Sequence, residues 1–442
     1  MDNTITILGG GPAGVGVAYY CSQSGISFNL YDAGPMVGGN CTTYNIDGFL
    51  FDSGAHRFHD KNKTITDEVK RVMGSDLIPV TRPSQIFVNN RFINFPPSAY
   101  DLIMYLGFFS SFFELIKLTM HRIINRAHKI ENFREYVINR YGYKISNLFM
   151  IGYSEKLWGK PSDYLSVEIS GKRLKGINLR EIFRNIFLSE ATSSKHLDGT
   201  FYYPVLGIGS IFTRMCSISG LRNYNMNSAV TSIKHNGDRI VSITINNSRV
   251  IDVDSVVSSI PIDQTIRLLD PSPPPDIIRS LDRISYRDLT LIIFLINKES
   301  INCNGSMYFP SKDYIFTRIS EPRNRSEKMS PDGKTSLVVE VPCCLKDSNV
   351  NNNLLSTRIE NDLIDLGLFN SEDVIGMHRR DIPKAYPILD TEYKGSIDII
   401  EGYLAMFSNL RINGRNGKFK YTHIHDHLSE ARDIVLDVID KK

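Results

Sequence analysis

Two histidines three residues apart are the first candidates for chemistry in this chain of 442 residues. His56 and His59 lie in the stretch "DSGAHRFHD" at residues 52–60, with Arg57 between them and an aspartate at either end. Such a group could bind a metal ion, relay a proton or line the rim of a cofactor pocket. No third ligand is evident, so we expect no metal site. The pair is either structural or, as we favour, beside a cofactor.

A glycine pattern near the N-terminus predicts a dinucleotide-binding site. A β-prone run at residues 5–8 leads into GxGxxG, an apolar helix follows, and the next strand closes on Asp32. Gly9 permits the tight turn, Gly11 lets the backbone approach a pyrophosphate, and Gly14 lets the helix pack on the strand. The helix N-terminus attracts phosphate. A carboxylate at this spacing binds both ribose hydroxyls, which favours FAD or NAD over NADP.

A second glycine pair distinguishes FAD from NAD. Gly38 and Gly39 follow the second strand directly, which resembles the extended signature of flavoproteins, although Asn40 stands where an arginine often follows. We therefore expect FAD as the cofactor. The residues predicted to contact it are Gly9, Gly11, Pro12, Ala13, Gly14, Asp32, Gly38, Gly39, Asn40, Val230, Gly414 and Arg415.

The remaining chain alternates between strand and helix patterns. Residues 84–96 and 228–246 read as hairpins with turns at Asn89-Asn90 and Asn236-Gly237. Residues 99–152 are rich in helix patterns, residues 286–342 predict an antiparallel sheet, and a final helix is expected at about 425–440.

These patterns predict an α/β protein. A Rossmann-like FAD-binding domain of the GR2 type is interleaved with a substrate domain of antiparallel sheet plus helices. The FAD-binding domain is expected to comprise residues 1–75, 206–265 and 395–442. The substrate domain is expected to comprise residues 76–205 and 266–394.

Composition narrows the function classes. A net charge of +3 argues against a nucleic-acid-binding protein, but it leaves room for a basic pocket that holds an anionic ligand. The six cysteines form no CxxC pair, so we expect free thiols. The apolar N-terminal run lacks the basic start of a signal peptide, and we therefore expect a cytoplasmic protein.

The segment 102–130 leaves two interpretations open. Its uncharged apolar stretch stops at Glu114, which is too short for a membrane-spanning helix, and a basic amphipathic continuation follows. We favour a helix that packs on the protein's own core. A peripheral helix on a membrane surface is the alternative.

Seven short stretches, in order along the chain, resemble the UDP-galactopyranose mutase family and its amine-oxidase-like or protoporphyrinogen-oxidase-like FAD relatives. They are "GGNCTT" (38–43), "GAHRFH" (54–59), "GYSEKLWGKP" (152–161), "PIDQ" (261–264), "FTRISE" (316–321), "AYPILD" (385–390) and "GRNGKFKY" (414–421). Residues 270–310 and 325–380 match little.

This resemblance implies an FAD-dependent pyranose/furanose mutase for a nucleotide sugar in surface polysaccharide biosynthesis. In that family, N5 of the reduced flavin attacks the anomeric carbon and displaces the nucleotide. The alternative is an FAD-dependent oxidoreductase of the amine-oxidase or protoporphyrinogen-oxidase type. A non-catalytic FAD protein, or a membrane-associated desaturase-like enzyme, is a more remote option.

The resemblance also assigns roles to individual residues. It places aromatic residues at the nucleotide-sugar wall, cations and tyrosines at the diphosphate, and histidines beside the flavin. The residues at the nucleotide-sugar wall are Tyr153 and Trp158. The diphosphate cations are Arg318 and either Arg173 or Lys172, and the diphosphate tyrosines are Tyr386 and Tyr421. The histidines beside the flavin are His59 and His56.

Two departures from the family pattern favour an altered sugar specificity. His423 stands where the mutases have an aspartate, and Arg57 replaces an apolar residue. The expected partners are a nucleotide-diphosphate sugar and an external reductant, since no second dinucleotide motif is evident. The oligomeric state is left open, with a homodimer as one option.

Overall fold

A computed structural model gives the structure of residues 4–95, 97, 99–124, 129–171, 200–345 and 352–440. The α/β class predicted from the sequence is confirmed, with one parallel sheet and several antiparallel pairings. The division into two domains stays a prediction.

The parallel sheet is built around the apolar strand Ile5–Leu8, in which every residue is buried. It takes strands from widely separated parts of the chain. In spatial order they are Leu410–Ile412, Ser255–Ser258, Ile5–Leu8, Phe28–Tyr31 and Tyr224–Asn225. Because the carboxyl ends of parallel strands meet at one edge, the turns after these strands converge there.

Two helices cover this sheet next to each other. The first helix, Pro12–Gln23, packs on the C-terminal helix, Ile424–Asp440. Gly16 makes the close approach, since a Cβ there would lie 2.9 Å from Leu428 Cδ2. The predicted C-terminal helix is therefore confirmed, and it packs beside the glycine turn.

A seven-stranded sheet forms the other large layer. Its pairings are antiparallel except for one parallel pair, Ser306–Tyr308 with Ser84–Val88. In spatial order the strands are Val374–Pro387, Tyr286–Ile296, Thr335–Cys343, Arg318–Ser320, Ser306–Tyr308, Ser84–Val88 and Arg91–Phe95. The antiparallel sheet predicted within residues 286–342 is confirmed.

Both predicted hairpins are present. Asn89 and Asn90 adopt positive φ values of 48° and 59° between the antiparallel strands 84–88 and 91–95. The second hairpin belongs to a four-stranded sheet. Its strands are Arg249–Asp252, Ile240–Ile245, Val230–His235 and Leu269–Asp270.

Two further strand pairs complete the described sheets. They are Thr43–Ile46 with Phe49–Asp52, and Leu77–Val80 with Phe201–Pro204.

Thirteen α-helices lie in the described residues. They are Pro12–Gln23, Lys63–Met73, Ala99–Leu106, Phe108–Ile124, Phe133–Tyr141, Tyr143–Ile145, Gly152–Trp158, Gly209–Ser219, Ile262–Arg267, Pro275–Leu281, Asn352–Asp365, Tyr393–Leu404 and Ile424–Asp440.

The six cysteines are free thiols, as predicted. Among the residues that the structure describes, no helix has both the length and the apolar character needed to cross a bilayer.

Candidate functional site

A cavity of about 660 Å³ opens where the parallel strands end. It is lined by ten of the twelve predicted cofactor residues, all except Gly14 and Gly38. Four residues assigned to catalysis by the resemblance also line it. These are His56, Arg318, Tyr386 and Tyr421.

The first wall of the cavity is a pair of glycine loops, which we call the glycine wall (Gly9, Gly11, Asp32, Gly39 and Asn40). A Cβ on Gly39 would lie 3.0 Å from Gly11 Cα, so the loops touch. A Cβ on Gly11 would meet nothing nearer than 4.0 Å, so its backbone borders open space. This cradle of bare backbone at a helix N-terminus fits the pyrophosphate of a dinucleotide.

Gly14 and Gly38 act behind this wall. A Cβ on Gly14 would lie 1.9 Å from the carbonyl oxygen of Gly9, so only glycine lets the helix start this close to the turn. Gly38 has a φ of 117°, which favours glycine, and its N–H donates to the carbonyl of Gly10.

Backbone groups orient the carboxylate of Asp32. Its Oδ2 accepts the N–H of Gly10 at 2.6 Å, and its Oδ1 accepts the N–H of Gly34 at 2.6 Å. Each carboxylate oxygen retains a second lone pair that can accept a ribose hydroxyl. The residues at this wall therefore fit the FAD that the sequence predicts.

The second wall is formed by side chains, and we call it the arginine–tyrosine wall (Arg318, Tyr386, Arg415 and Tyr421). The guanidinium of Arg415 lies over both tyrosines, 5.7 Å from the ring of Tyr386 and 5.2 Å from that of Tyr421. Its Nε and Nη2 also donate to the carbonyl of Thr422, at 3.1 and 2.7 Å. The cation and the two rings thus support one another.

Trp158 lies behind this wall. The indole is only 3% exposed and meets Tyr386 and Tyr421 edge-on, with ring centroids 5.8 and 5.5 Å away. Tyr153 is half-buried, packs edge-on against Tyr308 at 5.8 Å, and is likewise absent from the lining. Trp158 supports the two tyrosines.

A buried ion pair fixes Arg318. Its Nη2 lies 2.7 Å from both carboxylate oxygens of Glu340, whose side chain is 2% exposed. Burial disfavours the charged form of Arg318, but Glu340 and the neighbouring tyrosines together outweigh burial and raise the pKa of Arg318. The Nε of Arg318 is buried and has no hydrogen-bond partner among the described residues. It remains available to a ligand.

The sequence analysis did not identify Glu340. It lies in the apolar run "SLVVEVP", inside the strand Thr335–Cys343. Its Oε1 also accepts the N–H of Ala55, at 2.8 Å, next to the histidine stretch. A lone carboxylate in a buried strand needs a cationic partner, and that was the signal available in the sequence.

Of the two histidines in the opening stretch, His56 lines the cavity. Its Nε2 is buried without a hydrogen-bond partner among the described residues. Burial, with Arg415 and Arg318 acting in the same direction, lowers the pKa of His56 to about 3. The imidazole is therefore neutral at neutral pH. His59 lies outside the lining, with its ring 6.0 Å from that of Phe201.

Arg57 lies at the cavity next to His56. Its Nη2 donates to Ser84 Oγ at 3.0 Å and to Ser306 Oγ at 3.3 Å, and its guanidinium lies 5.0 Å from the ring of Phe201. These contacts hold the cation at the strand pair Ser84–Val88 and Ser306–Tyr308.

The cavity lining has more cationic than anionic side chains, although three of the cations pair with Glu340, Asp263 and Asp282 outside the lining. Asp32 is the one carboxylate among the described lining residues, and both its oxygens are engaged by the backbone. The cationic lining residues are Arg57, Arg267, Arg318, Lys384 and Arg415. Such a surface attracts an anionic ligand.

Lys384 and His427 were also missed by sequence reasoning. Lys384 has a φ of 50°, and its Nζ donates to Asp263 at 2.6 Å. His427 is 6% exposed, and burial together with Arg415 lowers its pKa to about 3. The run "HIHDH" at 423–427 was the signal, since it places histidines at the start of a helix. His423, the departure noted above, lines the cavity as well.

The predicted second diphosphate cation, Arg173 or Lys172, lies outside the described residues.

Comparisons with known proteins identify the family and the fold of the chain. The model of the family "flavin containing amine oxidoreductase" matches residues 12–342. The fold is similar to that of reduced UDP-galactopyranose mutase, with a TM-score of 0.82 and 22% identity over 99% of this chain and 96% of that one. It is also similar to a putative protoporphyrinogen oxidase from Exiguobacterium sp. 255-15, with a TM-score of 0.78 and 17% identity over the whole of both chains.

A third likeness is to cyclohexylamine oxidase from Brevibacterium oxydans, with a TM-score of 0.72 and 12% identity over 100% of this chain and 99% of that one. At such identities, the structural likenesses establish a common fold.

Proposed function

Because the chain belongs to the flavin-containing amine oxidoreductase family and uses FAD, we propose that it is an FAD-dependent mutase-like enzyme for a nucleotide-diphosphate sugar. The observation that carries the proposal is the arginine–tyrosine wall in a cavity whose lining has five cationic residues and one carboxylate. Formation of the sugar for a surface polysaccharide would be the setting of this activity.

Charge favours a diphosphate over an amine at this wall. Arg415 has no carboxylate partner in the described part of the chain, so its positive charge is not neutralised. An ammonium substrate would be repelled by Arg415, whereas a diphosphate would be attracted. The attraction would strengthen as the glycosidic bond breaks, because negative charge builds on the leaving diphosphate.

The tyrosines would act as hydrogen-bond donors. Burial, reinforced by the negative charge of Glu340, raises the pKa of Tyr386 to about 12. The phenol therefore stays protonated at neutral pH and can donate to a phosphate oxygen. Burial also raises the pKa of Tyr153.

The residues at the two walls would divide the work. When bound in reduced form, FAD would supply the nucleophile for the anomeric carbon. The glycine wall and Asp32 would hold the dinucleotide. The neutral imidazole of His56 offers Nε2 for one hydrogen bond to the cofactor or the sugar.

A specific observation favours a second candidate, an FAD-dependent oxidoreductase. Leu289, Ile382 and Ala385 give one part of the cavity lining an apolar surface, which would suit a hydrophobic hydride donor. On this reading the cationic residues would serve only the phosphates of FAD.

One experiment separates the two candidates. The FAD-loaded protein is reduced anaerobically with dithionite, mixed with UDP-, GDP-, CDP- and dTDP-sugars, and assayed by chromatography for pyranose–furanose interconversion. We expect turnover of one nucleotide sugar, by the reduced protein only. The same panel with Tyr386→Phe should give slower turnover of that sugar.

The opposite result would establish the oxidoreductase. It consists of no interconversion with any nucleotide sugar, together with anaerobic loss of the visible absorbance of oxidised flavin when an amine or another CH–XH donor is added. Protein that carries FAD and shows this pattern would overturn the mutase proposal.

A further inference from the structure

The helix Phe108–Ile124 exposes its apolar face. Seven large hydrophobic residues lie on this face, and between 39% and 76% of each is exposed. They are Phe109, Phe112, Phe113, Ile116, Met120, Ile123 and Ile124. Their spacing of three and four residues places them on a single stripe of the helix, which we call the outer stripe.

The opposite face of this helix carries polar residues beside the buried Leu118, and it is anchored to the protein. Glu114 is 8% exposed, and its Oε2 accepts the N–H of Lys144 at 3.4 Å. Arg122 donates to the carbonyls of Asn139 and Arg140, at 2.8 and 2.7 Å, and so caps the end of the helix Phe133–Tyr141. These bonds fix the rotation of the helix about its axis.

This helix therefore exposes seven large apolar residues while it buries Ser111 and Glu114 beside Leu118. Exposing such an apolar stripe is unfavourable in water, unless another apolar medium covers it. The sequence analysis favoured a helix whose apolar residues face the core. The helix does pack on the protein, but through Ser111, Glu114, Leu118 and Arg122.

The charges around the outer stripe are positive. Within the helix, Glu114 is the one acid, and Lys117 is the cation beside the stripe, since Arg122 lies on the anchored face. Glu114 is buried, whereas 72% of the Lys117 side chain is exposed. Lys144 adds another exposed cation beside Ser110, at 2.7 Å.

This charge pattern distinguishes between two partners that could cover the outer stripe, a second copy of the chain and a lipid surface. In a symmetric dimer the same patch lies on both subunits, so a patch that carries Lys117 and Lys144 would face another with the same cations. An anionic lipid surface would instead complement these lysines and accept the apolar stripe between its head groups. We propose that the helix Phe108–Ile124 lies flat on an anionic membrane surface through its outer stripe.

The proposal is tested by sedimenting the full-length FAD-loaded protein with vesicles. One set of vesicles contains phosphatidylcholine alone and the other contains equal parts of phosphatidylcholine and phosphatidylglycerol. We expect binding to the anionic vesicles that weakens as salt is added. Lys117→Glu should reduce binding by at least about tenfold, because each cation near such a surface contributes roughly a factor of five.

A matched pair of variants separates the outer stripe from general surface hydrophobicity. Phe112→Ser/Phe113→Ser/Ile116→Ser should abolish vesicle binding. Leu221→Ser/Val250→Ser/Met406→Ser, at residues 65%, 65% and 61% exposed elsewhere on the protein, should leave it unchanged. FAD content and the thermal midpoint show that each variant is folded, since none of the six residues is buried.

Three results would overturn the proposal. The first is equal binding to both vesicle types, and the second is no binding to either. The third is loss of a dimer, measured by analytical ultracentrifugation, when the outer stripe is changed while vesicle binding persists; the stripe would then be an interface between copies.

Discussion

The glycine wall and the arginine–tyrosine wall border one cavity but are held by different means. In the glycine wall, backbone groups position the carboxylate: Asp32 accepts N–H groups from Gly10 and Gly34. In the arginine–tyrosine wall, side chains hold one another, as with Arg318 and Glu340, which lie opposite each other on neighbouring antiparallel strands. The first wall should therefore fail when backbone spacing changes, and the second when a side-chain partner is lost.

Breaking the buried ion pair should have the largest effect. Glu340→Ala leaves the charge of Arg318 buried and unpaired, which should cost about 3–5 kcal/mol of unfolding free energy. Urea denaturation measures the loss. The double variant Arg318→Leu/Glu340→Leu should recover most of the stability, because apolar residues of similar volume replace buried ion pairs well. It should not recover turnover. A Glu340→Ala protein as stable as the wild type would show that this wall does not depend on the pair.

Tyr386→Phe tests the same wall without disturbing the packing. It removes one hydrogen bond to a charged group, which is worth about 1.5–3 kcal/mol, so turnover should fall roughly 10- to 100-fold. Because the pKa of Tyr386 is raised to about 12, the wild-type rate should show no decline at pH 9 from ionisation of this phenol. Unchanged turnover in the variant would mean that Tyr386 donates nothing in the transition state.

Gly14→Ala tests the glycine wall. The added Cβ would lie 1.9 Å from the carbonyl of Gly9, so the backbone must shift, at a cost of about 1–3 kcal/mol. The variant should purify with less FAD, as measured by flavin absorbance per protein. Gly25→Ala is the control: it changes a glycine with a positive φ of 66° but open surroundings, and it should retain FAD. Equal FAD content in both variants would contradict the role of close packing.

The two walls also differ in how far the sequence predicts them. Gly9, Gly11 and Asp32 are separated by a fixed spacing that itself dictates strand, turn and helix, so the motif predicted their placement at the cavity. Glu340 and Lys384 could not be placed in this way, because no motif of fixed spacing links them to their partners. Glu340 meets Arg318 through the pairing of two neighbouring strands, and Lys384 meets Asp263 through tertiary packing.

The histidines show an intermediate case. The sequence singled out the pair His56 and His59, but their spacing of three residues could not show which ring faces the cavity. The chain bends at Gly54, whose φ is 158°, and His56 Nε2 turns inwards. His427 was hidden because a histidine on an amphipathic helix is as compatible with solvent as with the core.

His427 gives a pH-dependent test beside Arg415. In the unfolded chain a histidine binds a proton below about pH 6.5, whereas the folded protein keeps His427 neutral down to about pH 3. Stability is therefore lost as the pH falls from 6.5 towards 3, by about 1.4 kcal/mol per pH unit for this group. His427→Gln should reduce that slope between pH 6 and 5, as measured by denaturation at each pH. An unchanged slope would mean that His427 becomes protonated in the native state.

The smallest effect is expected at Trp158, and it decides what this indole does. If it stacked on the nucleobase, Trp158→Phe would weaken nucleotide binding strongly, because base stacking contributes about 1–3 kcal/mol. The indole is instead 3% exposed and meets Tyr386 and Tyr421 with its edges. Phenylalanine can keep such edge contacts, each worth about 0.5–1.5 kcal/mol. Calorimetric titration with UDP should therefore give an affinity close to that of the wild type, while the thermal midpoint falls slightly. A large loss of affinity for UDP with an unchanged thermal midpoint would mean that Trp158 contacts the ligand directly and belongs to the arginine–tyrosine wall.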